Sequence, residues 1–148
     1  LDTLSAHLRE TGMAAENLML ELTESVMIQD LARVKTQLAA IRALGVGIAV
    51  DDFGTGYSSL SYLKRLPLDQ LKIDQGFVKN ILTDSNDAAI AKMVVALAES
   101  LGLAVIAEGV ERQEQSDYLA LQGCHAYQGY LFGRPLPIEA FDPGTVSA

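Results

Sequence analysis

The chain has 148 residues, about half of them apolar and a fifth charged, with one cysteine and a formal charge of −8. That length and balance suit one folded domain with a substantial core and exclude a disordered or collagen-like chain. The charge argues against a nucleic-acid groove, where Lys and Arg neutralise phosphates, so no DNA or RNA partner is expected; the lone Cys124 excludes an internal disulfide.

The first apolar pair, Leu4 and Leu8, precedes Gly12 and predicts a short helix stopped by the glycine. Residues 18–23 form a brief apolar run interrupted by Glu21, which reads as a buried strand. Asp30 can cap a helix whose apolar positions Val34, Leu38, Ile41 and Leu44 recur at helical spacing before Gly45, and 46–50 is the next strand. A tight glycine loop then begins at Asp51, followed by a helix over 58–66 that ends before Pro67. A strand over 68–73 leads to a helix marked by Ile90, Val94, Leu97 and Leu101 and closed by Gly102. Residues 103–107 make a strand, 112–121 a polar helix, and 124–132 an extended segment before a proline-containing tail. No apolar run approaches the roughly 20 residues that cross a bilayer, and residues 1–4 lack the pattern of a secretory signal. A cytoplasmic setting is the expectation.

About five strands separated by helices imply parallel pairing through right-handed crossovers, an α/β fold. Charged groups stand at or just past the carboxyl end of successive strands: Glu21 and Glu24, Asp51 and Asp52, Lys72 and Asp74, Glu108 and Glu111. A doubly wound sheet gathers its ligand groups at one switch point, whereas a βα barrel collects them from nearly every strand. The distribution therefore predicts a barrel of the TIM type.

Two carboxylates about 4 Å apart repel by roughly 4 kcal/mol at an effective dielectric near 20, so the adjacent Asp51 and Asp52 call for a cation or a shared proton. Carboxylate oxygens without paired His or Cys favour Mg²⁺ or Mn²⁺ over zinc. Two such ions roughly 4 Å apart clamp a phosphodiester for in-line attack, and Lys72 is the candidate cation for the charge that develops. Taken singly, Glu21 is more often a solvated charge and Lys72 a surface ion pair; Lys72 could also serve as the Schiff-base nucleophile of an aldolase-type lyase. Cys124 and His125 are adjacent on an extended segment and so face opposite sides, which makes packing or surface the expectation for both.

Several strings in this order resemble the EAL family of cyclic di-GMP phosphodiesterases: Glu21-Leu22-Thr23-Glu24-Ser25, Asp51-Asp52-Phe53-Gly54-Thr55-Gly56, Leu71-Lys72-Ile73-Asp74, Ala107-Glu108-Gly109-Val110-Glu111 and Gln128-Gly129-Tyr130. The resemblance runs over about 18–137. It implies a modified TIM barrel that hydrolyses cyclic di-GMP to linear pGpG with two Mg²⁺ or Mn²⁺ ions. It also implies that Glu21 and Asp51 hold one metal and Asp51 and Asp52 the second, that Glu108 is the general base, and that Lys72 holds a catalytic water or phosphate oxygen. Asp74, Glu111 and Gln128 are placed by the substrate, and Glu24 as the anchor of the loop at 53–59, which the family also uses in its dimer. The family's Glu-Ala-Leu string and the asparagine strand after it are absent, and with them two metal ligands. The chain is therefore expected to be the carboxy-terminal portion, 1–148, of one such domain, about five βα units that cannot close a barrel alone. A fragment inactive by itself, or one that pairs its edges with a second copy, is the expectation; a sensor or GGDEF-type domain is expected in the parent. A non-catalytic cyclic di-GMP-binding or protein-interaction module is the alternative, though relatives of that kind usually lack the acids kept here.

Overall fold

The computed structural model describes residues 1–23, 31–54 and 63–140. Helix α1 (Asp2–Thr11) ends at Gly12, whose left-handed φ of 67° lets its N–H reach the Leu8 carbonyl. Strand β1 (Met19–Thr23), helix α2 (Leu31–Ala43), β2 (Gly47–Phe53) and β3 (Gln70–Ile73) follow. Then come α3 (Gln75–Asn80), α4 (Ser85–Leu101), β4 (Ala104–Glu108), α5 (Gln113–Leu121) and β5 (Ala126–Gln128). No described helix is long and apolar enough to cross a membrane.

The strands form one parallel sheet in the order β1-β2-β3-β4-β5. Strict sequential order, with no reversal, is the winding of a barrel and not of a doubly wound sheet. The chain thus carries the predicted α/β architecture, a five-stranded part of a TIM-type barrel. One face of the sheet packs on the helices: Ile48, Val50, Leu71, Ile73 and Ala107 join Leu38 of α2, Val78 of α3 and Val94 and Ala98 of α4 in a single buried cluster. Because side chains alternate along a strand, the residues between them face the barrel interior.

The structure departs from the sequence expectations in four places. Strand β2 does not stop at Val50 but runs on to Phe53, because a bulge lets the aspartates stay in the ladder: Val50 pairs with Leu71 and Phe53 with Ile73, three steps against two. Helix α3 was not anticipated, being six residues too short for an apolar stripe; Asp74 starts it by accepting from the Gly76 N–H at 2.8 Å. Helix α4 begins at Ser85, capped by Asp84, ahead of its first apolar marker Ile90. Strand β5 covers only Ala126–Gln128, because the backbone turns after Gly129 and the Leu131 N–H returns to the Val110 carbonyl. The helix cap at Asp30 and most of the helix over 58–66 lie outside the described residues.

Candidate active site

Strand register alone gathers most of the predicted residues. Thr23 pairs with Asp51, which sets Glu21 and Asp51 on the same face. Lys72 pairs with Ile106, two residues before Glu108, and Glu108 pairs with Gln128. With a side-chain period of two, Glu21, Asp51, Lys72, Glu108 and Gln128 all face the interior.

At the centre stands Lys72, whose side chain is 6 % exposed. Its Nζ lies 2.7 Å from Glu108 Oε1, 2.8 Å from Glu21 Oε2 and 3.1 Å from Asp51 Oδ1. Burial alone would lower its pKa, but the hydrogen bonds to Glu108, Glu21 and Asp51 outweigh it and hold the ammonium above its ordinary range. A Schiff-base nucleophile must be neutral, so a lysine locked in its charged form does not suit the aldolase chemistry.

Asp52 should face away from Asp51 on a regular strand. The bulge overrides this: Asp52 takes a φ of 52°, a left-handed conformation that Asp tolerates better than most residues. Both aspartates consequently reach one place, and ligand oxygens of Asp51, Asp52 and Glu108 lie within 4.8 Å of one another. Crowding registers in Asp52, whose pKa is raised first by burial, then by hydrogen bonding with Asp74 and by the charges of Asp51, Asp74 and Glu108. The donor set is oxygen only, hard and strongly anionic, and its mutual repulsion is what a divalent cation relieves. The residues present therefore fit Mg²⁺, Mn²⁺ or a similar hard ion.

Asp74, Glu111 and Gln128 lie at or just beyond the carboxyl ends of β3, β4 and β5. Asp74 is half-buried and caps α3 while bonding Asp52. Glu111 is exposed three residues beyond Glu108, and its N–H donates to Gln115 Oε1 at 2.9 Å. Gln128 is exposed at the end of β5, its carbonyl accepting from the Val110 N–H at 3.1 Å. Glu24 lies outside the described residues. Away from this centre, Cys124 is buried and His125 exposed, as their alternation predicted. Sequence reading overlooked Gln115, one of three buried polar or charged side chains among the described residues. A Gln three residues after a helix-capping position is the signal that could have found it.

The sequence matches the family model of the EAL domain over residues 1–135. The chain belongs to the EAL domain family. Over 139 residues this EAL chain is 47 % identical to the bifunctional diguanylate cyclase/cyclic di-GMP phosphodiesterase MucR of Pseudomonas aeruginosa, covering 94 % of the chain but 20 % of that relative. It thus spans about a fifth of the curated relative's length. A solved structure of the MucR phosphodiesterase in complex with cyclic di-GMP superposes with a TM-score of 0.90 at 47 % identity, over 93 % of this chain and 56 % of that one. A manganese and cyclic di-GMP complex of Klebsiella pneumoniae BlrP1 gives a TM-score of 0.83 at 37 % identity, over 90 % of this chain and 34 % of that one. A calcium complex of BlrP1 is similarly related. The EAL relatives therefore include cyclic di-GMP phosphodiesterases, and manganese or calcium accompanies the nucleotide in the BlrP1 complexes.

Proposed function

We propose that this chain is the carboxy-terminal part, 1–148, of an EAL domain that hydrolyses cyclic di-GMP to linear pGpG with two Mg²⁺ or Mn²⁺ ions. The observation that carries the reading is the convergence of Glu21, Asp51 and Glu108 on Lys72, with Asp52 turned into the same place by the bulge. Support comes from relatives that are cyclic di-GMP phosphodiesterases and from neighbours solved with that nucleotide and manganese.

Glu21, Asp51 and Asp52 would hold the ions, which supply Lewis acidity toward the phosphoryl oxygens and the attacking water. Glu108 takes a proton from that water as its oxygen bonds to phosphorus, the bond from phosphorus to the ribose 3′ oxygen breaks, and that oxygen leaves as a hydroxyl with a proton from solvent, which opens one of the two phosphodiester linkages. Lys72 sets its fixed positive charge against the oxygens on which charge grows, in a position that needs no reorganisation. Asp74, Glu111 and Gln128 surround the mouth where the nucleotide would lie, and Glu24 is assigned to the loop at 53–59. The same reading includes a cytoplasmic homodimer and a sensor or GGDEF-type domain elsewhere in the protein.

The test is product analysis by chromatography after incubating the full-length protein with cyclic di-GMP and Mg²⁺ or Mn²⁺. Appearance of pGpG, abolished by EDTA and by Glu108→Gln, is expected. Binding without cleavage would favour the receptor alternative, and neither binding nor cleavage would refute the assignment.

A further inference from the structure

Gln115 is 2 % exposed and uses its whole amide. Its Oε1 accepts from the backbone N–H groups of Glu111 and Arg112, both at 2.9 Å. Its Nε2 donates to the carbonyls of Val78 at 3.0 Å and Lys79 at 3.4 Å. The first pair belongs to the loop between β4 and α5. The second pair lies in the last turn of α3, where the Val78 carbonyl also accepts from the Ile81 N–H at 3.3 Å. One side chain thus ties the loop that carries Glu111 to the helix that Asp74 starts, the segments that follow the strands bearing Glu108 and Lys72.

We propose that Gln115 is a positioning residue that sets Glu111 for the substrate by clamping its loop to α3. Glu108 is held independently by the β4 ladder, opposite Gln128. The clamp should therefore act on the exposed Glu111 and leave the metal-binding acids alone. An ordinary capping box needs only the acceptor, since the Gln115 side chain bonds the Arg112 N–H at the start of α5. Two donors spent on a different helix go beyond that need, and their removal cuts the tie between the loop and α3.

Gln115→Glu separates the two roles, because it keeps the acceptor but turns an anion toward the Val78 and Lys79 carbonyls. For its kinetic readout the proposal rests on the hydrolysis proposed above. In the full-length protein, Gln115→Glu is expected to raise KM for cyclic di-GMP about tenfold, with kcat and Mn²⁺ affinity within about twofold of wild type. The rise should disappear in the Glu111→Ala background, since the two changes act through one group. A wild-type KM in Gln115→Glu, or a parallel loss of kcat and melting temperature, would mean a cap and nothing more. Amide exchange gives a readout independent of catalysis: in Gln115→Glu, which keeps the acceptor and loses only the tie to α3, the Glu111 and Arg112 amides should exchange at least about tenfold faster than wild type. Unchanged exchange overturns the clamp, whereas faster exchange in a protein without hydrolytic activity upholds it and refutes only the function.

Discussion

Replacing Lys72 by Met removes the single ammonium that holds Glu21, Asp51 and Glu108 together while keeping the stem's volume. Three contacts of 2.7, 2.8 and 3.1 Å are lost, and three carboxylates are left facing one another. Breaking a buried ion pair costs about 3–5 kcal/mol. Glu21 is 48 % exposed and relieves its share into water, so about 3 kcal/mol is the sensible figure here. For a domain of this size that lowers the melting temperature by roughly 6–12 °C. The measurement is thermal unfolding followed by circular dichroism, in EDTA and again in millimolar Mn²⁺. The deficit should shrink with Mn²⁺, because the ion supplies the missing positive charge to the same acids. Equal melting of mutant and wild type in EDTA, or an identical deficit with and without the ion, would refute this account of the site.

Other consequences are as direct. Asp52→Asn should raise the melting temperature by about 2–4 °C in EDTA, where the raised pKa marks an ionised carboxylate that opposes folding, and should weaken Mn²⁺ binding. A carboxyl whose folded pKa lies above its unfolded value loses stability as pH rises between the two. The mutant's advantage in EDTA should therefore fade as pH falls into the ordinary carboxylate range; a constant advantage would sink the assignment. Cys124 has its thiol pushed up by burial and should ignore a thiol reagent such as DTNB in the native protein but react once urea unfolds it. Gly129→Ala should cost more than about 3 kcal/mol, judged by loss of soluble folded protein, because the new Cβ would lie 2.2 Å from the Val110 carbonyl oxygen and 2.4 Å from its nitrogen.

The carboxylates were legible in the sequence because barrel strands deliver their functional groups at a repeated place, and Glu21, Asp51, Lys72 and Glu108 all fell on strand ends where register brings them together. Asp52 could be named but not oriented, since the sequence puts it in a glycine loop, whereas the structure keeps it in β2 and turns it beside Asp51 through a bulge with φ 52°. Helix α3 escaped notice because six residues show no periodic stripe, and its cap Asp74 had already been read as chemistry. The sequence expects an extended segment over 124–132, but the strand covers only Ala126–Gln128, after which the chain turns and the Tyr127 and Phe132 rings stack 5.8 Å apart. Gln115 is legible only as the partner of a helix cap, three residues after Arg112, because its other two partners lie 36 and 37 positions away. Long-range pairing of that kind leaves no local signature.

Asp51 and Asp52 are neighbours along the backbone, so their Cα atoms are separated by a trans peptide of about 3.8 Å that thermal breathing cannot stretch. Carboxylates borne on different strands would drift apart whenever the sheet flexed. Any cation these two share would rest on a backbone spacing set by covalent bonds, while the bulge and the side-chain torsions alone decide how closely the two carboxylates meet.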